Sequence, residues 1–308
     1  MEIELGIGSF KRIHILVSRC RNIVNKVWAT PPCDILKKIR KRMSFTDEVS
    51  DRETGFYIWS LSTGRVGTQT LAALGELATA VHSIHEPAPL LYGLSRESYL
   101  ADESSMAAQI LCETLRTTRD IKLYDNEKAY FESSPQVTFL ARHLLKVFPK
   151  SVFFHVLRHP ASVIRSGMRR NWYGGHANDC YRITPKDGVY KERWREMSQL
   201  QKNIWLWAET NRWISSFVKN LESDRVVVLR SEDLFGADEK TLDAFYRHLG
   251  AEKPSKKKLE KVLGRKLNSQ QKGDFPSLKD WSVEDRADLK EIAGDVMDQY
   301  SYFIESEE

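Results

Sequence analysis

From residue 55 onward the chain alternates between two hydrophobic patterns. Short runs rich in aromatic and β-branched residues predict strands at Gly55–Leu61, Val81–His85, Ala129–Glu132, Val152–Leu157 and Arg225–Leu229. Between and after them, apolar positions recur every three or four residues, which predicts helices at Thr68–Ala80, Pro135–Val147, Pro160–Arg170, Gln199–Asn220, Glu239–Leu249, Ser255–Leu263 and Val283–Tyr300. Strands that alternate with helices imply an α/β fold of three layers around a central parallel sheet. The nearly unbroken apolar run Ser151–Leu157 suits a central strand covered on both faces. In the helix that follows, Val163, Ile164, Gly167 and Met168 form one stripe, and Ser162, Arg165, Ser166 and Arg169 form the other.

The first fifty residues follow a different pattern. Between Phe10 and Met43 basic residues (Lys11, Arg12, Arg19, Arg21, Lys26, then Lys37 to Arg42) interleave with Ile13, Leu16, Val17, Ile23, Val24 and Val27 at helical spacing, broken by Thr30-Pro31-Pro32. Two readings stand: a solvated helical hairpin, or a basic amphipathic surface that rests on an anionic membrane through residues 10–43 and serves a lipid-linked acceptor. Ser44–Thr54 is polar and reads as a linker. The expected organisation is a basic helical appendage at 1–50 and an α/β domain at 51–308.

The net charge of +5 over 308 residues suits an anionic ligand and is too small to argue for nucleic acid. Cys20, Cys33, Cys112 and Cys180 are too widely spaced for a zinc or redox pair and read as reduced, buried thiols. No run approaches the ~18 apolar residues of a membrane span, and Glu2, Glu4, Lys11 and Arg12 do not make a signal peptide. The expectation is an intracellular, cytoplasmic protein, peripheral at the membrane if the basic segment binds lipid.

The chemistry concentrates at two predicted strand ends. After the first strand comes Ser62-Thr63-Gly64-Arg65-Val66-Gly67-Thr68-Gln69-Thr70, where a helix starts. A glycine-containing loop that opens a helix aims backbone N–H groups and the helix dipole at one point, the requirement for holding a phosphate. On its own the stretch is equally an ordinary strand–helix turn with a surface arginine. It is not a Walker A loop, because Thr68 stands where the lysine belongs. After the fourth strand, Arg158-His159-Pro160 leads into a helix, so that Arg158 and Ser166 can flank one pocket. Arg158 alone would also suit a structural ion pair.

Together these elements resemble the family of sulfotransferases that use 3′-phosphoadenosine 5′-phosphosulfate (PAPS). Arg65-Val66-Gly67-Thr68-Gln69 resembles the family's first loop, and Arg158 to Ser166 has the separation of its second motif. Glu132-Ser133-Ser134-Pro135, Phe148-Pro149, Arg230-Ser231-Glu232-Asp233-Leu234, Phe245 to Gly250 and Trp281 to Tyr302 resemble further landmarks. The resemblance spans residues 55–303 and implies PAPS as co-substrate and no metal. It implies that Thr63, Gly64, Arg65, Val66, Gly67, Thr68, Gln69 and Thr70 hold the 5′ phosphate and that Arg158 and Ser166 hold the 3′ phosphate. Arg65 would act by charge. Glu86, 21 residues beyond Arg65 at the end of the second strand, would be the general base, with His85 as the other candidate. Two departures stand out: Gln69 replaces a threonine, and Ser133 stands where some Golgi-type members have a lysine, a role Lys272 in Gln270-Gln271-Lys272-Gly273 could supply. The loop Arg169–His176 could hold a saccharide acceptor, aromatic faces packing on a sugar ring and arginines meeting an acidic group, or be a surface excursion. A glycan or lipid-linked saccharide hydroxyl is the preferred acceptor, a small natural product the next. The rival classes are a P-loop phosphotransferase acting on a small molecule and a non-catalytic nucleotide-binding protein.

Overall fold

A computed structural model describes residues 56–88, 90–101, 110, 115, 129–264 and 274–304. The basic N-terminal segment, the boundary at 50/51, the linker, Cys20, Cys33, Cys112 and Lys272 lie outside them.

The five predicted strands form, as β1 (Tyr57–Leu61), β2 (Val81–His85), β3 (Ala129–Ser133), β4 (Val152–Leu157) and β5 (Val226–Arg230). They make one sheet in the order β2-β3-β1-β4-β5, parallel at every pairing. Alternate residues feed the two faces. Ile58, Phe131, Phe154 and Val156 enter one core, and Trp59, Leu61, Tyr130 and Phe153 the other. The helices are α1 (Thr68–Gly75), α2 (Tyr92–Leu100), α3 (Ala141–Val147), α4 (Pro160–Met168), α5 (Gly188–Arg193), α6 (Gln199–Val218), α7 (Ser231–Phe235), α8 (Glu239–His248), α9 (Lys256–Leu263) and α10 (Val283–Gln299).

Three departures from the sequence pattern bear on function. The stretch predicted as one helix from Pro135 begins as a tight 3₁₀ segment, Pro135–Leu140, before α3. Ser134 caps it by accepting from Gln136 N at 3.2 Å, and Thr138 exchanges hydrogen bonds with both backbone groups of Ser62 (3.0 and 2.9 Å). α1 stops at Gly75, five residues early. There it presses on the sheet so closely that a Cβ would lie 2.5 Å from Ser83 Oγ and 2.8 Å from Phe131. α2 escaped the periodicity reading because its inward positions include two serines, Ser95 and Ser98, beside Tyr99. Among the described residues no helix is long and apolar enough to cross a membrane.

The strand order itself locates a crevice. From β1 the chain leaves towards β3 and β2, and from β4 it leaves towards β5. Between the neighbouring carboxyl ends of β1 and β4 the connections therefore diverge, and loops cannot close over the sheet. Ligands of open α/β sheets sit at such a switch point.

Candidate functional site

The loop after β1 turns through three left-handed residues, Gly64 (φ 78), Arg65 (φ 61) and Gly67 (φ 87). Gly67 is the N-cap of α1 and no side chain caps the helix. Its first backbone bond runs from Leu71 N to Gly67 O at 2.9 Å, so the N–H groups of Thr68, Gln69 and Thr70 open into the cleft without an intrahelical partner. Glycine is required at 67 twice over, by its φ and because a Cβ would sit 2.2 Å from the Phe235 ring. Ser133 lies beneath the loop, and its hydroxyl donates to Thr68 O at 2.8 Å. Of the predicted loop residues, Thr63, Gly64, Arg65, Gly67, Thr68, Gln69 and Thr70 line the cleft. Val66 does not: its side chain is buried in the core. What the expected phosphate role leaves to Val66 is its backbone N–H, since the side chain packs in the core.

The second strand end meets the first. Arg158 Nη1 donates to Arg65 O at 2.9 Å, and Arg65 Nε donates to Ser166 Oγ at 3.0 Å. Residues 93 and 101 positions apart thus form one chain of contacts. The contact sets a residue expected at the 5′ phosphate beside one expected at the 3′ phosphate. Ser166 accepts from Arg65 yet keeps its own proton to give to an anion, and both terminal nitrogens of Arg65 stay available. Burial, with Arg170 and Arg158 close by, lowers the Arg65 pKa to about 10, so it remains charged at neutral pH. A tether that sequence reasoning missed joins the two loops. Ser231 Oγ, at the start of α7, lies 2.7 Å from Val66 O and 2.8 Å from Leu157 O. Glu232 beside it accepts from His159 N (2.8 Å) and from the Tyr302 hydroxyl (3.2 Å), linking the β4 end to the chain beyond α10. Neither role has a local signal, because both partners are far away in sequence.

Glu86 and His85 both line the cleft. The strand ends at His85, and Glu86 has a left-handed φ of 42, so the alternation of the strand does not extend to Glu86. The Tyr92 hydroxyl donates to Glu86 Oε2 at 3.3 Å, and burial, with the neighbouring carboxylate second, raises the tyrosine's pKa. His85 Nδ1 lies 2.8 Å from Ser133 O, which only accepts, so Nδ1 carries the proton and Nε2 is left as an acceptor.

The cleft has a volume of about 1100 Å³. Arg65, Arg96, Arg158, Arg165, Arg169, Arg170 and Arg182 line it, against the carboxylates Glu86 and Glu232. That imbalance suits a ligand of several negative charges. The loop at 169–176 is only partly what its composition suggested. Arg169, Arg170, Trp172 and His176 line the cleft, but the Arg182 guanidinium covers the Trp172 ring at 4.0 Å. Tyr173 is packed edge-on to Trp194 with its hydroxyl on Ile183 O at 2.7 Å, so neither aromatic face is open to a sugar. Cys180, expected in the core, is exposed. Among the described residues no group of three histidine, cysteine, aspartate or glutamate side chains is arranged as a metal site.

A model of a sulfotransferase family matches residues 68–255, a span that contains Glu86, Arg158 and Ser166 and begins just after the glycine loop. Among solved structures, the sulfotransferase STF9 from Mycobacterium avium is similar at 12% identity with a TM-score of 0.54, covering 87% of this chain and 83% of that one. A sulfotransferase domain of the curacin biosynthetic pathway matches at 18% identity and a TM-score of 0.46, with 80% and 97% covered. One from the Synechococcus PCC 7002 olefin synthase matches at 17% and 0.45, with 80% and 94% covered. No curated protein matches in sequence.

Proposed function

The chain belongs to the sulfotransferase family, and on that premise we propose that it transfers the sulfuryl group of PAPS to an acceptor hydroxyl. The observation that carries the reading is the 2.9 Å contact of the Arg158 guanidinium with the glycine-loop backbone at Arg65. It brings the two anion-holding elements to one switch point, as a co-substrate with phosphates at both ends requires.

Sulfuryl transfer is an in-line displacement between two oxygens, so it needs alignment, charge relief on the leaving phosphate and removal of the acceptor's proton. In this reading the free amides of α1 and Arg65 take the 5′ phosphate. Because Arg65 remains protonated at neutral pH, it stabilises charge and does not deliver a proton. Arg158 and the Ser166 hydroxyl take the 3′ phosphate. Glu86 accepts the acceptor's proton, and the Tyr92 hydroxyl holds the carboxylate in place. His85, whose Nε2 is a free acceptor in the same cleft, is the second candidate for that role. Lys272 is kept as a further phosphate contact. The acceptor is a hydroxyl of a glycan or lipid-linked saccharide, with the basic segment at 10–43 lying on an anionic membrane and the enzyme in the cytoplasm. Nothing in the reading calls for a metal or for nucleic acid.

The test is transfer from ³⁵S-labelled PAPS, without magnesium, into a cell extract, followed by identification of the labelled species. Label in a saccharide or small-molecule hydroxyl is expected. Transfer that needs ATP and magnesium, or none at all from a protein that binds adenosine 3′,5′-bisphosphate, would refute it in favour of a phosphotransferase or a binding protein.

A further inference from the structure

Two of the cleft arginines belong to neither strand end. Arg182 follows the short turn Asp179–Tyr181, and Arg96 lies on α2. The Arg182 side chain is only 15% exposed. Its Nε donates to Asp179 Oδ1 at 2.9 Å, and its Cζ lies over the Trp172 ring, 4.0 Å from the centroid. Asp179 is already shared, because its other oxygen accepts from the backbone N of Gly175 (3.0 Å) and of His176 (2.9 Å). Arg96 Nε donates to Arg182 O at 3.1 Å and holds the segment against α2. Among the described residues, neither terminal nitrogen of Arg182 has a hydrogen-bond partner. A guanidinium fixed at one edge and one face, with its fork facing a cleft, is preorganised for a planar, bidentate oxyanion. Covering it with a neutral group would leave a desolvated charge unmatched.

Its position says which molecule it serves. Tyr181 precedes Arg182 and stacks on Tyr92 (ring centroids 6.4 Å apart, planes at 20°), and the Tyr92 hydroxyl is on Glu86. Arg182 is therefore tied to Glu86 through Tyr181 and Tyr92, whereas Arg65, Arg158 and Ser166 form a separate hydrogen-bonded chain. We propose that the acceptor is anionic, and that Arg182, braced by Arg96, receives a carboxylate, sulfate or phosphate oxyanion close to the hydroxyl that is sulfated. This inference rests on the reading of Glu86 as lying at the acceptor end.

The probes are benzoate, phenyl sulfate and phenyl phosphate, with benzyl alcohol as the neutral control. They are titrated at constant ionic strength into the full chain, both saturated with adenosine 3′,5′-bisphosphate and without it, and followed by calorimetry and by tryptophan fluorescence, to which Trp172 contributes. At least one anion is expected to bind about ten- to a hundredfold tighter than benzyl alcohol, the worth of a charge-assisted pair. The three anions separate carboxylate from sulfate and phosphate recognition. Arg182→Gln should abolish the preference, Arg182→Lys, which keeps the charge over Trp172, should retain part of it, and Arg193→Gln, in an exposed ion pair with Glu291 outside the cleft lining, should leave it intact. Equal affinity for all four probes, or an unchanged preference in both Arg182 variants, overturns the proposal. Failure of the nucleotide to bind would instead count against the assigned donor, and the titration without nucleotide still decides the acceptor inference.

Discussion

Gly67→Ala perturbs the glycine loop after β1 at a single atom, and its cost can be worked from the geometry. The added Cβ would lie 2.2 Å from Phe235 Cε2 and 2.4 Å from Cζ, where carbon atoms in contact prefer ~3.5–4.0 Å. The ring must retreat by more than about 1 Å, and it sits on α7, whose Ser231 ties the two loops together. Overpacking of this kind costs ~1–3 kcal/mol, and an alanine held at φ 87 adds about 1 kcal/mol of backbone strain. The expected loss is about 2–4 kcal/mol. In a Phe235→Ala background the steric part disappears and only the strain, about 1 kcal/mol, should remain. Urea unfolding of the four proteins of this cycle at pH 7 measures the coupling directly, expected at ~1–3 kcal/mol. If Gly67→Ala cost the same with and without the phenyl ring, the loop would not be pressed on α7 as described.

Three further outcomes are expected. Arg158→Ala should weaken adenosine 3′,5′-bisphosphate about ten- to a hundredfold while changing AMP affinity little, and calorimetry showing equal losses for both would contradict its assignment to the 3′ phosphate. Glu86→Gln should lower kcat about 10²–10⁴-fold with little change in nucleotide affinity, and near-full turnover in a folded variant would remove it as the base. His155 is completely buried, donates to Asn211 Oδ1 at 2.9 Å, and is held by burial at a pKa of about 4. Since the unfolded chain protonates this histidine near 6.5 and the folded one does not, stability is fully present above ~6.5 and is lost as the pH falls towards 4. The change between pH 7 and pH 5 is about 2 kcal/mol from this residue. His155→Gln should flatten that slope in urea unfolding, and an undiminished slope would place the titration elsewhere.

Much of the site is legible in the sequence because its parts are local. A buried strand shows as a run of apolar residues, a glycine or proline can mark a helix start, and both signals surround Gly64–Thr68 and Arg158–Pro160. The stripe of Ser162, Arg165 and Ser166 on the cleft side of α4 likewise follows from 3.6 residues per turn. The exceptions arise where long-range contacts overrode a local rule. Glu86 shares the cleft with its neighbour His85 because the strand stops at His85 and Glu86 has a left-handed backbone. The aromatic residues at 172 and 173 looked free for a sugar and are instead covered by Arg182 and packed on Trp194. α2 was invisible to periodicity because serines occupy its buried face.

Taken by itself, then, the order of residues determined which segments become strands and helices and which side chains end up at strand termini. Those outcomes depend on backbone preferences and burial patterns that act over a few neighbours. Only the tertiary structure decided that Arg158 reaches the carbonyl of Arg65, that Arg65 settles on Ser166, and that Ser231 bridges both loops. Those contacts join residues about 75 to 165 positions apart, and the strand order β2-β3-β1-β4-β5 makes them neighbours. A hydrogen bond forms between atoms that the sheet brings within 3 Å, and no rule that reads nearby residues contains that distance.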